Sequence, residues 1–191
     1  MTTVTIFGNG NMGQAIAGVL ARGGADIQHI AKDTTATIEG DIVVLAVPHA
    51  ALAQIAADYA DQLTGRTVVD ITNPVNFETF DSLVVPVGSS AAAELAAALP
   101  GAKVLKAFNT TFAATLASGK VGGQTTTTVL IAGDDTDAKT QLAGLITAAG
   151  LGAIDAGSLA RAHELEALGF LQLSLAVSEK VSWTAGFGVI A

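Results

Sequence analysis

The chain has 191 residues, half of them hydrophobic, and a formal net charge of -8. This length suits one domain that buries its own core. With no cysteine and three histidines, the sequence excludes disulfides and thiolate metal sites, and we expect no bound metal. The acidic excess repels phosphate backbones, so we expect no nucleic-acid partner.

The chain is unusually apolar, yet its longest apolar stretches are Ile42–Val47 and Leu165–Val177. Both are shorter than the ~20 residues that a membrane-spanning helix needs. The first residues include no basic region that would mark a signal peptide, so we expect a cytoplasmic protein without membrane contact. The apolar excess instead favours a parallel sheet buried on both faces, with a subunit interface burying the rest.

Short runs rich in β-branched residues alternate with alanine- and leucine-rich segments of helical length. Strands are predicted at Thr3–Phe7, Asp26–Ile30, Ile42–Ala46, Thr67–Ile71, Lys103–Phe108, Thr127–Ile131 and Gly152–Asp155. Helices are predicted at Asn11–Arg22, Ala50–Gln62, Ser90–Leu99, Asp135–Ala149 and Ser158–Val181. This alternation is typical of βαβ units with right-handed crossovers, which build an α/β fold around a parallel sheet.

Local signals place several features at the element boundaries. Asp134 is predicted to cap the helix that starts near Asp135, and Ser158 is predicted to cap the last helix. Asp70 is expected at the end of a buried strand, where it would satisfy backbone groups. Residues Asn73–Gly88 have no helical period, so we expect a long loop at the carboxyl edge of the sheet, where α/β proteins bind ligands.

A glycine-rich turn follows the first predicted strand and opens the first predicted helix. Its residues are Gly8, Asn9, Gly10, Asn11, Met12 and Gly13. Gly8 permits the tight turn, Gly10 lets backbone approach a pyrophosphate, and Gly13 lets the helix pack close to the strand. N–H groups at the helix start would hold the phosphates. The motif predicts a Rossmann-type doubly wound, dinucleotide-binding domain over residues 1–157, with a short C-terminal helix and tail over 158–191.

The end of the second strand predicts which dinucleotide is bound. An NAD site places an acid there to bind the ribose hydroxyls, but this position holds Ile30 or Ala31, followed by Lys32. Lys32, with His29 nearby, would meet the 2′-phosphate of NADP(H). Asp33 has the spacing of an NAD acid, ~20 residues after the glycine turn. Because strand geometry places the side chain, we predict NADP(H).

Five stretches run in the order found in the NADP oxidoreductases that depend on a deazaflavin coenzyme. They are Ile6–Gly13, Ile42–His49, Val69–Pro74, Lys106–Thr111 and Asp155–Leu168. Together they extend over nearly the whole chain, and the sequence resembles this family. The family shares its Rossmann domain with pyrroline-carboxylate reductases and with the cytosolic domains of membrane ferric reductases.

The resemblance implies an oxidoreductase that transfers hydride between NADP(H) and a flavin- or deazaflavin-like acceptor. It implies that the ribose and nicotinamide side of the cofactor is lined by Ala46, Val47, Pro48, His49, Thr72, Asn73 and Pro74. It also implies that Lys106–Thr111 faces the acceptor, and the candidate acceptor contacts are Phe108, Asn109, Thr110 and Phe112. The short, apolar end of the chain departs from the family and leaves the identity of the acceptor open.

Hydride transfer between two rings needs no protein acid or base, only two rings held face to face. Accordingly, we find no nucleophile elbow, paired catalytic carboxylates or zinc spacing, and no residue is assigned as a certain catalyst. The candidates for polar contacts are His49, Asn73 and Asn109, with a rim histidine and a turn asparagine as the structural alternatives. Phe108 and Phe112 can stack on a ring, although core packing is the alternative for Phe108.

The last predicted helix is apolar nearly all round, so its whole surface must be buried. We expect a second subunit to cover it in a homodimer, the alternative being a core helix of the monomer. Two other functions remain open beside the flavin-type reductase. One is reduction of a small imine or carbonyl substrate, for which little chain remains to build a substrate domain. The other is a non-catalytic NADP(H)-binding redox sensor.

Overall fold

Strands and helices alternate along the chain, as the sequence pattern predicts. A computed structural model describes residues 2–31 and 36–190. The strands are β1 (Thr3–Phe7), β2 (Asp26–Ile30), β3 (Ile42–Leu45), β4 (Thr67–Asp70), β5 (Lys103–Lys106), β6 (Lys120–Val121), β7 (Thr125–Thr126), β8 (Thr128–Gly133) and β9 (Gly152–Gly157). The helices are α1 (Asn11–Arg22), α2 (Leu52–Leu63), α3 (Ala91–Ala98), α4 (Ala113–Ser118), α5 (Thr136–Ala148) and α6 (Ala162–Val177).

Seven strands form one sheet in the order β2-β1-β3-β4-β5-β8-β9. The first five are parallel, which confirms the doubly wound α/β prediction. One edge differs from the rest of the sheet, because β8 pairs with β5 in the antiparallel direction and β9 pairs in parallel with β8. The connection between β5 and β8, residues 107–127, contains the six-residue helix α4 and the strands β6 and β7.

The sheet is buried on both faces. Ile42 and Val44 belong to the core beneath α1, α4 and α5, whereas Val43 and Leu45 belong to the core beneath α2 and α3. All four side chains are fully buried. The apolar excess of the sequence therefore serves a two-sided core, as predicted.

Both predicted helix caps are wrong. The N-cap of α5 is Asp135, whose carboxylate accepts the Ala138 N–H at 2.8 Å, while Asp134 accepts the Leu159 N–H instead. Ser158 makes no capping hydrogen bond, because a short 3-10 turn intervenes before α6 begins. The last helix also ends at residue 177, four residues earlier than its predicted end at 181.

The long loop predicted after β4 is present. The chain forms no helix between β4 and α3, and a single bridge joins Val75 to Leu83. By contrast, α4 and the hairpin of β6 and β7 were not predicted, since these elements are too short for a repeating helical or alternating pattern to identify them. Among the described helices, none is long and apolar enough to cross a membrane.

Candidate functional site

The glycine turn joins the carboxyl end of β1 to α1. Gly8 has a φ of +98°, and a Cβ at this position would collide with the carbonyl oxygen of Ala46. A Cβ on Gly13 would lie 2.6 Å from the carbonyl oxygen of Gly8. Around Gly10, in contrast, a Cβ would meet no atom within 4 Å. Two glycines thus allow close packing, and the third borders open space.

At the start of α1, the first backbone N–H groups have no acceptor within the helix. Gly10 is the N-cap residue and provides no side-chain hydrogen bond, and no acidic residue stands in the first turn. The first N–H groups of a helix have no intrahelical acceptor, and the helix dipole makes this end electropositive. The open space beside Gly10 therefore meets a set of backbone donors suited to phosphate.

A cleft of about 740 Å³ extends from this turn along the carboxyl ends of β4 and β5. The walls come from the start of α1, from α4, from α6 and from the segment after α6. Its lining residues are Asn11, Met12, Gln14, Ala15, Ile71, Asn73, Asn109, Thr111, Phe112, Ala113, Ala114, Ala117, Gly169, Leu173 and Trp183. None of these described residues is charged, so the cleft is suited to a neutral, largely apolar group.

Two asparagines from neighbouring loops are locked together at the cleft. The side-chain amide of Asn73 donates to the backbone carbonyl of Asn109 at 2.9 Å. The side-chain amide of Asn109 donates to Asn73 Oδ1 at 2.9 Å and to the backbone carbonyl of Leu165 at 2.8 Å. Asn109 Oδ1 is buried and has no protein partner in the described residues. An N–H group of a bound ring would satisfy it, because a buried acceptor left unpaired is costly.

Gly169 lets α6 approach this amide pair. A Cβ at position 169 would collide with Asn73 Oδ1 and would lie 2.9 Å from the Asn109 carbonyl oxygen. Even alanine would therefore displace the helix or the two amides.

Beneath the amide pair lies a fully buried group of three charges, Lys106, Asp70 and Glu166, which we call the ion triad. Lys106 Nζ lies 2.7 Å from Asp70 Oδ2 and 2.7 Å from Glu166 Oε1. It also donates to the carbonyl oxygen of Thr72 at 2.6 Å. Asp70 Oδ1 accepts the Thr72 N–H at 2.8 Å, as its predicted backbone role requires. Glu166 accepts the Ala91 N–H at 3.0 Å, so the triad joins β4, β5, α3 and α6.

Burial raises the pKa of Glu166 above its ordinary value, while the charge and hydrogen bond of Lys106 oppose this rise. Sequence reasoning missed the triad because no local pattern connects Glu166 with Asp70 and Lys106. The sequence contains part of the signal, since Asp70 and Lys106 are the last residues of the apolar strands β4 and β5. They are direct neighbours in the β4–β5 register.

Residues 24–74 match the sequence profile of a family described as NADP oxidoreductase, coenzyme F420-dependent. The solved hypothetical protein SMa0349 from Sinorhizobium meliloti is 31% identical, over 84% of this chain and 87% of that one, with a TM-score of 0.71. Residues 24–74 of the chain are thus similar to this family of NADP oxidoreductases, and most of the chain is similar to the Sinorhizobium protein. The resemblance stated from the five motif stretches is thereby confirmed.

Two other relatives extend the comparison. Metalloreductase STEAP3 of Rattus norvegicus is 38% identical over 109 residues, which are 57% of this chain and 21% of the rat protein. The chain therefore spans about a fifth of the length of that relative. A solved protein from Arthrobacter sp. FB24, whose description proposes an F420-dependent NADP reductase, shares the fold over 100% of both chains, with a TM-score of 0.85 and 24% identity.

In this chain the stretch predicted to face the acceptor is mostly interior. Lys106 and Phe108 are fully buried and do not line the cleft. Phe108 instead packs in the core beneath α1, the alternative that the sequence left open. Thr110 is also buried, and its carbonyl oxygen accepts from Gln172. Asn109 and Phe112 do line the cleft.

The remaining predicted residues are divided between the cleft and its surroundings. Pro48 precedes a 3-10 turn that His49 begins, and the His49 ring lies 3.9 Å from Glu94 of α3 rather than in the cleft. Ala31, exposed, follows β2 directly. Lys32 and Asp33 lie outside the described residues. The structure thus brings Asn73 and Asn109 together and does not bring His49 to them.

Trp183 is the main cleft residue that the sequence analysis did not select. It lies beyond the last helix, in a segment with no regular structure. No periodicity or motif in the sequence connects that segment with residues on β4 and β5.

Proposed function

We propose that this chain is an NADPH-dependent reductase that passes hydride to a flavin- or deazaflavin-like ring in the cleft. The observation that carries the proposal is the continuity of the cleft. Asn11 and Met12 of the glycine turn and the amides of Asn73 and Asn109 line one space of about 740 Å³. This volume lies within the range of about 300–1,000 Å³ that ligand sites usually have, and one space lets two rings meet.

The donors at the start of α1 and the open space beside Gly10 fit the pyrophosphate of a dinucleotide. The choice of NADP(H) is supported by the end of β2. This strand ends at Ile30, and the exposed Ala31 follows, so no acid stands at the position from which an NAD ribose is bound. Lys32, by its place in the sequence, would supply the contact to the 2′-phosphate.

When bound, NADPH supplies a hydride and becomes NADP⁺, and the acceptor that gains the hydride takes one proton from water. The protein needs to hold and orient the two rings, and its uncharged cleft walls are suited to that task. Asn109 Oδ1, buried and without a protein partner, would accept an N–H from the nicotinamide carboxamide or from the acceptor ring. The ion triad lies behind these groups and fixes the Thr72 carbonyl beside them.

The test is calorimetric titration of the purified protein with NADPH and with NADH, followed by NADPH oxidation with riboflavin, FMN, FAD and the deazaflavin. The proposal expects tighter binding of NADPH and oxidation that depends on one of these acceptors. Equal binding of both dinucleotides would contradict the cofactor assignment. Selective binding without oxidation by any acceptor would contradict the reductase and favour a redox sensor.

A further inference from the structure

The segment after α6 brings an aromatic wall to the cleft. Trp183, the chain's single tryptophan, lines the cleft and packs on Phe112, with ring centroids 4.9 Å apart and planes tilted by 56°. Phe112 is almost fully buried, whereas Trp183 is 50% exposed. Trp183 therefore rests on a fixed ring and keeps much of its own surface free.

Buried contacts hold this segment, residues 182–188, which we call the closing segment. Gln172 of α6 is 3% exposed, and both the oxygen and the nitrogen of its side-chain amide make hydrogen bonds. Its Oε1 accepts the Phe187 N–H at 2.7 Å, and its Nε2 donates to the Thr110 carbonyl at 3.1 Å. The Gly122 N–H, from the β6–β7 turn, also donates to the Thr184 carbonyl at 2.9 Å. The closing segment is thus fixed to α6 and to the hairpin.

We infer that Trp183 is a specificity-determining residue on which the acceptor ring stacks, and that Gln172 is the positioning residue that holds it there. This inference rests on the proposed function, since it concerns the same cleft. The described lining offers no charge with which to bind an acceptor, so affinity must come from apolar contact, stacking and a few amide hydrogen bonds. Trp183 presents the largest flat surface in that lining, which selects planar aromatic acceptors over small carbonyl compounds.

The single tryptophan makes this arrangement directly observable. Riboflavin is titrated into protein saturated with NADP⁺, so that no hydride is available, and tryptophan fluorescence is followed with free tryptophan as the correction for light absorption. We expect saturable quenching, because a flavin stacked on Trp183 quenches its emission. Phe187→Ala is the matched control, since it removes an exposed ring from the closing segment outside the cleft. It should leave the quenching unchanged.

Kinetics with NADPH and riboflavin then separate stacking from a general structural effect. Trp183→Ala should raise the KM for riboflavin about tenfold and leave the Kd for NADPH unchanged, and Trp183→Phe should recover most of the loss. Gln172→Ala should raise the same KM and shift tryptophan emission towards that of an exposed indole, again without changing the Kd for NADPH.

The outcomes distinguish this inference from the proposed function. Absence of quenching, or an unchanged riboflavin KM in Trp183→Ala, overturns the inference. Saturable quenching without NADPH oxidation by any acceptor overturns the proposed reductase and supports Trp183 as a stacking site. Quenching together with oxidation and the raised KM supports both.

Discussion

Replacing Lys106 by methionine should lower the free energy of unfolding by about 3–5 kcal/mol, because it removes the only cation from a buried ion group. Methionine nearly matches the length of the lysine stem, so little packing is lost. All three partners of the ammonium group remain: the carboxylates of Asp70 and Glu166, both fully buried, and the carbonyl oxygen of Thr72. The cost is therefore that of two buried negative charges left without compensation.

The loss should also depend on pH, with a sign that follows from the pKa of Glu166. Burial already raises the pKa of Glu166 in the native protein, against the opposing effect of Lys106. Without the opposing effect of the cation, the folded pKa of Glu166 should rise further above the unfolded one. A group with a raised folded pKa contributes stability below its unfolded pKa and loses it as pH rises through the folded pKa. Lys106→Met should thus lose less stability at about pH 5 than at about pH 7.

Urea unfolding followed by circular dichroism at both pH values would measure this effect. Lys139→Met is the matched control, because Lys139 pairs at 2.8 Å with Asp155, whose side chain is 56% exposed. Its cost should stay near or below about 1 kcal/mol. Adding Glu166→Gln to Lys106→Met should restore part of the loss by removing one uncompensated charge. Equal costs for the two lysine variants, with no difference between the pH values, would refute the reasoning.

The cofactor and subunit proposals can be tested in the same way. The Gly10→Val variant should fold with an unchanged melting temperature, since a Cβ there meets nothing within 4 Å. It should lose NADPH binding in calorimetry. Normal affinity would contradict the proposed place of the pyrophosphate beside Gly10. The Lys32→Ala variant should bind NADPH about tenfold or more weakly, because a charge-assisted hydrogen bond is lost, and its affinity for NADH should change little. Equal weakening of NADPH and NADH binding would contradict the NADP(H) assignment. The expected homodimer would cover the outer face of α6. Replacing both Leu171 and Val177 by Asp should therefore yield monomers in sedimentation, whereas Val84→Asp, at a similarly exposed apolar site, should not change the oligomeric state. A native chain that sediments as a monomer would reject the dimer.

The sequence predicts the parts of the fold that local patterns encode. The parallel core strands are continuous apolar runs such as Ile42–Leu45, buried on both faces. The turn at Gly8 and Gly13 has a motif because its backbone geometry excludes larger residues. Strand direction has no such signature, and no local pattern marks β8 as antiparallel to β5.

The candidate site is less predictable because its parts meet over long sequence separations. Asp70 and Lys106 are neighbours in the sheet register, and this pairing follows once the strand order is known. Their third partner, Glu166, comes from α6, and the cleft residue Trp183 comes from beyond it. Sequence patterns do not specify where such a helix lies on the sheet, so neither contact could be derived.

The last helix shows how a polarity pattern can mislead. Because this helix is apolar nearly all round, its whole surface was expected to be buried. In the structure, Glu166 and Gln172 point inward while Leu171 and Val177 are exposed. The inversion is stable because the inward polar groups are satisfied: Glu166 by Lys106 and by N–H groups of α3, and Gln172 by two backbone partners.

This inverted face connects the fold to the site. Glu166, Gly169 and Gln172 follow one another at intervals of three residues, so they lie along one side of α6. Each supports a different part of the cleft. Glu166 holds the lysine that binds Thr72 O, Gly169 fits against the asparagine pair, and Gln172 holds the closing segment. Because the proposed phosphate-binding turn lies at the start of α1, α6 is placed to shape the proposed acceptor side of the cleft independently of the proposed dinucleotide side.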